Sequence, residues 1–182
     1  MSKAVKRSYL KQQLWKVSLA QRSAEQVQSF CEHFITSKPD PTSPLFSSLL
    51  TSICVVYAKP FTNNSQVGML SKKFARYSSP GLQRLHESLL NFRDNFYAHQ
   101  NPVGRKLHVR VEAEDLGEQI QYKFYPQAEV SHLNPARIPD VLNMCKELWK
   151  TLDVKFYDLM DQLYGKRHWP TGKFTLNLND ES

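Results

Sequence analysis

From Tyr9 to Thr36 the apolar or small side chains stand at Leu10, Leu14, Val17, Ala20, Ala24, Val27, Cys31 and Phe34, in steps of three and four. That spacing lays one stripe along one face of a long α-helix, which must stop before Pro39. Asp40-Pro41-Thr42-Ser43-Pro44 then reads as a rigid turn. Ser43 caps and Pro44 opens a second, more uniformly apolar helix that runs to about Ala58, ahead of Pro60. Residues 61–77 form a polar, basic connection with room for a short helix around Val67 to Phe74. Ser78-Ser79-Pro80 starts a third helix with the seam Leu82, Leu85, Leu89, Phe92 and Phe96, which Asn101-Pro102 and Gly104 stop.

The period then changes from helical to two. Leu107, Val109 and Val111 alternate with polar residues, as do Ile120, Tyr122 and Phe124, across Asp115-Leu116-Gly117, which predicts a β-hairpin over about 106–125. Asn134-Pro135 and Pro139 precede a last long helix with the seam Leu142, Cys145, Trp149, Leu152, Phe156, Leu159 and Leu163. Beyond Gly165 the tail is polar apart from Trp169, Phe174, Leu176 and Leu178, which can dock on the body. The pattern therefore predicts a mainly all-α fold, a four-to-five-helix up-and-down bundle with a hairpin inserted before the last helix. Residues 1–164 form a single domain and residues 165–182 a C-terminal tail; no internal repeat is visible.

A chain of 182 residues can bury a core without metal or disulfide support. Cys31, Cys54 and Cys145 are odd in number and widely spaced, which fits neither a disulfide framework nor a zinc site and points to a reducing cytoplasm. The most apolar stretch, Leu45 to Phe61, is broken by serines, Thr51, Lys59 and Pro60. It reads as a buried helix, and no membrane partner is expected. The net charge of +7 is unevenly placed. Lys3, Lys6, Arg7, Lys11, Lys16 and Arg22 all precede the first acidic residue, Glu25, so the first helix carries a basic stripe suited either to a polyanion or simply to solvent.

The stretch richest in chemistry is Asn91-Phe92-Arg93-Asp94-Asn95-Phe96-Tyr97-Ala98-His99-Gln100. It puts a permanent cation and a group that titrates near neutrality on the last turns of the third helix. Six residues correspond to about 9 Å of rise and roughly 120° of rotation, so Arg93 and His99 can lean into one cleft. His99 continues the core-facing seam and could equally be a packing residue; Arg93 lies on the neighbouring stripe with His86, Leu90 and Tyr97. His86 reads as a surface position, with a supporting role to Arg93 as the alternative. Tyr97 could stack with a base or pack. Tyr122, Phe124 and Tyr125 with Lys123 suit either a stacking surface or a strand laid over the bundle.

The run from Leu82 through His86, Arg93 and Asp94 to Ala98-His99 resembles the signature of HEPN domains, an arginine and a small polar residue followed four to six positions later by a histidine. The abortive-infection U-like type is nearest. The resemblance implies a helical bundle with the motif near the end of the third long helix, a homodimer across the motif helices, and metal-independent RNA cleavage without a cofactor. In such a site His99 would transfer protons to and from the ribose hydroxyl and Arg93 would hold the phosphate through its fork of donors. Asp94, by family precedent, or Asn95, by helical register, would orient them. Lys3, Lys6, Arg7, Lys11 and Tyr97 are the candidate RNA contacts, and an antitoxin protein is a further candidate partner. The alternative function is a non-catalytic HEPN module for dimerisation or nucleotide or RNA binding.

Overall fold

The computed structural model describes residues 3–63, 67–94, 106–115, 120–129, 133–166, 168–172 and 175; of the hairpin's side chains it describes those of residues 111–113. Helix α1, Lys3–Ser37, is 35 residues long and starts earlier than the apolar stripe requires. Every seam residue expected for it, from Leu10 to Phe34, is buried. Its partner is α4, Ile138–Tyr164, which lies against it over most of its length. Two polar bridges set the register: Gln21 donates to Asp153 at 3.4 Å and the Trp149 indole donates to Glu25 at 2.8 Å. Rising numbers on α1 meet falling numbers on α4, so the pair is antiparallel, as an up-and-down bundle requires.

The turn before α2, Pro44–Ala58, forms as its residues dictate. Asp40 Oδ1 accepts from the Thr42 amide at 2.7 Å, an Asx turn, and the Ser43 hydroxyl accepts from Phe46 N at 3.2 Å. A 3₁₀ turn, Lys59–Phe61, follows directly, and of the short helix expected around Val67 to Phe74 a second 3₁₀ turn, Lys72–Ala75, forms at the far end. Among the described residues Pro44–Phe61 is the one stretch long and apolar enough, by length and composition, to cross a membrane. Only 15 of its residues are α-helical. They span about 22 Å, less than the ~30 Å hydrocarbon thickness. Its inner face, Leu49, Leu50, Ile53, Cys54, Tyr57 and Ala58, is buried in the bundle.

Helix α3, Pro80–Phe92, is capped by Ser79, whose hydroxyl accepts from Leu82 N at 3.2 Å. It packs on α2 and α4 through Leu85 and Leu89. Strands β1, Lys106–Asp115, and β2, Ile120–Glu129, pair antiparallel, with Val111 opposite Phe124 and Ala113 opposite Tyr122. The hairpin runs four residues further than the alternation suggested and takes in Pro126. A two-stranded ribbon has only edge strands, where a missing amide hydrogen is tolerated.

Helix α4 corrects one expectation. Of the seam read from the sequence, Cys145, Leu152 and Leu159 are buried, but Leu142, Trp149, Phe156 and Leu163 are only partly so. The deepest arc is Ile138, Val141, Met144, Cys145, Leu148 and Leu152. A helix flanked by neighbours on two sides has a buried arc wider than one stripe, and the expected seam marks its edge. Gly165 ends α4 at φ 84°, a conformation that favours glycine. The tail then folds back: Trp169 stacks on Tyr157 at 5.5 Å and donates its indole N–H to Asp161 at 3.0 Å. Phe174, Leu176 and Leu178 lie outside the described residues.

Candidate functional site

Arg93 directly follows α3 and keeps helical geometry, φ −57° and ψ −50°, its amide donating to the carbonyls of Leu89 and Leu90. Its side chain is about one-third exposed at 31%, and the Nη1 group lies 2.6 Å from Asp94 Oδ1, whose own side chain is 53% exposed. An ion pair this open contributes at most about 1 kcal/mol. Asp94 therefore orients the guanidinium without locking it, and an incoming phosphate can replace the carboxylate on the same fork of donors. Asn95, Tyr97 and His99 lie outside the described residues, so Arg93 and Asp94 are the members of the motif whose geometry is seen.

His86, read from the sequence as a surface position, is buried at 6% exposure. It stands two helical turns before Arg93 on the same stripe and faces into the bundle. Its Nδ1 lies 2.7 Å from the Tyr57 hydroxyl, which in turn lies 2.6 Å from the Tyr77 hydroxyl and 3.6 Å from Met144 Sδ. Phe61 packs edge-on against the imidazole with ring centres 4.9 Å apart, and the Tyr57 and Tyr77 rings each lie 5.7 Å away. Each hydroxyl has one proton, so the three groups form a chain that is satisfied in either direction, with the neutral imidazole accepting at one end or donating.

Burial governs the titration of this chain. It lowers the His86 pKa against a smaller opposing influence from Glu87, and it pushes the Tyr57 and Tyr77 phenols well above their ordinary value. All three groups are neutral near pH 7. The ladder is thus a neutral polar strut, closed at His86 and partly open at Tyr77, that ties α3 to α2 and to the segment before α3. Tyr57, Phe61 and Tyr77 carried no signal in the sequence beyond apolar patterning, because only the packing brings them to His86.

The candidate RNA contacts on α1 divide. Lys6 and Arg7 are exposed on the first turns. Lys11 is 6% exposed, which corrects its expected place on an open basic face. It stands beside the seam residue Leu10, on the arc that turns inward. The side chain of Lys3 is outside the description.

Cys31, Cys54 and Cys145 are all buried and unbridged. Burial raises the Cys31 and Cys54 thiols to about 12 and moves Cys145 in the same direction. Among the described residues no group of three or more histidines, cysteines and carboxylates could hold a metal ion. No family model, curated protein sequence or solved structure matches the chain.

Proposed function

We propose that the protein is a metal-independent endoribonuclease of HEPN type, acting in the cytoplasm as a toxin or abortive-infection effector. The observation that carries the reading is Arg93, held at the end of a helix whose inner face is buried, with its guanidinium partly open and lightly paired to Asp94. A helix tied into the bundle at His86 and presenting a replaceable ion pair at its end suits recognition of a phosphodiester. RNA contributes its own nucleophile, the 2′-hydroxyl, so the protein needs to supply proton transfer and charge stabilisation. In this reading Arg93 holds the phosphate oxygens, His99 exchanges the proton, and Asp94 or Asn95 orients them. Two copies meeting across the motif helices would share one groove. Lys6 and Arg7, exposed at the start of α1, would raise the local concentration of RNA.

The test is cleavage of cellular RNA with a chelator present, comparing wild type with Arg93→Ala and His99→Ala. The expected result is fragments ending in 2′,3′-cyclic phosphate and a loss of roughly 10²- to 10³-fold in rate for each variant. Intact RNA from folded wild-type protein would refute the nuclease and leave the non-catalytic binding module.

A further inference from the structure

A second grouping of cations lies midway along α1, apart from its first turns. Lys16 and Arg22 of α1 and Lys59 of the first 3₁₀ turn line one cavity of about 340 Å³, and among the described residues no carboxylate lines it with them. The acidic groups near this part of the helix are engaged on the α4 side, Glu25 with the Trp149 indole and Asp153 with Gln21. Among the described residues none of the three cations is in an ion pair. Like charges brought together without a counter-charge repel, and an anion placed among them removes that repulsion.

Ser23, on the same wall, points independently to a ligand. It is only 7% exposed, yet its hydroxyl makes no hydrogen bond among the described residues. Ser18 and Ser29 on the same helix instead donate to the carbonyl four residues back, at 2.9 and 3.2 Å. A buried hydroxyl left without a partner costs about 1–3 kcal/mol, so an acceptor in the cavity is the natural partner. The opposite wall is tied down, since the Leu70 amide donates to the Pro60 carbonyl at 2.8 Å. Gly68, at φ 79°, completes the arrangement: a Cβ there would come within 3.1 Å of Lys16 Nζ, so the ammonium lies against bare backbone.

We propose that this cavity binds a phosphate monoester. A monoester carries about −1.5 to −2 charges near pH 7, which answers three cations lining one cavity better than the single charge of a phosphodiester within a strand. The volume sits at the lower end of small-molecule sites, about 300–1,000 Å³, enough for one phosphorylated unit. Arg22 supplies the planar fork, Lys16 and Lys59 supply point charges, and the Ser23 hydroxyl donates to a phosphate oxygen. The phosphate can belong to a free mononucleotide or to the phosphorylated end of an oligonucleotide.

Titration calorimetry on the full chain tests the site, with adenosine 5′-monophosphate and a short oligonucleotide prepared with either a 5′-phosphate or a 5′-hydroxyl. Lys16→Ala and Arg22→Ala, both at positions open enough to leave the fold intact by circular dichroism, are expected to weaken monophosphate binding by about tenfold or more each. Ser23→Ala is expected to weaken it by a smaller factor, and each of these losses is expected to be the same size in an Arg93→Ala background, which separates this site from the proposed nuclease centre. Whichever of the mononucleotide and the 5′-phosphorylated oligonucleotide binds more tightly identifies the source of the monoester. The proposal is overturned by equal binding of the 5′-hydroxyl oligonucleotide, by undiminished binding in the α1 variants, or by no binding of the mononucleotide at millimolar concentration.

Discussion

Tyr57→Phe isolates the ladder beneath Arg93, because it deletes one oxygen and keeps a ring that is 1% exposed in the core. Two strong hydrogen bonds disappear, at 2.6 Å to Tyr77 and 2.7 Å to His86, together with the weak 3.6 Å contact to Met144 Sδ. Each contributes about 1 kcal/mol net. Tyr77 is partly exposed and can turn to water, whereas His86 Nδ1, at 6% exposure, has no such recourse. Its unmet desolvation adds ~1–3 kcal/mol to the two lost bonds, so the total loss is about 3–5 kcal/mol. Tyr77→Phe should cost only ~1 kcal/mol, since the Tyr57 hydroxyl still serves His86. Urea unfolding followed by circular dichroism, at one protein concentration, reads both; with a slope of ~2–3 kcal/mol per molar the Tyr57→Phe midpoint falls by roughly 1–2 M. A Tyr57→Phe protein within about 0.5 kcal/mol of wild type, or a Tyr77→Phe protein that loses more than Tyr57→Phe, would refute the reasoning.

His86 also predicts a pH dependence. Its folded pKa is depressed below the ordinary 6.5, so its contribution is fully present above that value and is lost as pH falls from there through the folded pKa, where the unfolded chain binds the extra proton. Unfolding curves between pH 8 and 5 should show this slope, attenuated in His86→Phe; an unchanged slope in that variant would assign it to other groups. Leu89→Ala, at a fully buried position on α3, should destabilise by about 2–5 kcal/mol in the same urea assay, and a loss under 1 kcal/mol would mean that α3 is not held by this contact. The three buried thiols should resist a disulfide reagent at pH 8 in the native protein and react fully in denaturant; rapid native reaction would contradict their burial and raised pKa values.

The bundle was legible because its elements announce themselves locally. The three-and-four spacing of α1, the Ser43-Pro44 and Ser79-Pro80 starts and the stop at Gly165 each follow from backbone hydrogen bonding within a few residues, and each is found where the sequence puts it. The change to period two marks the hairpin for the same reason, although Pro126 hid its full length. Arg93 and Asp94 were legible as a candidate pair because neighbours on a helix end need no distant partner to meet.

What the sequence by itself determined, then, is the four long helices and the hairpin, their order, and the place of Arg93 beside the third helix. Tertiary structure decided the depth of each face and the company each polar group keeps. His86 and Lys11 look like surface residues in the chain and are buried in the fold, and the seam of α4 is displaced to the edge of its buried arc. The Tyr57–Tyr77–His86 ladder and the cavity of Lys16, Arg22 and Lys59 join residues from separate elements, the two ladder hydrogen bonds linking positions 20 and 29 apart. Periodicity records only which side of its own helix a residue occupies. How far that side is covered, and by which groups, depends on neighbouring elements brought together by packing, and that is where the polar chemistry of this protein is assembled.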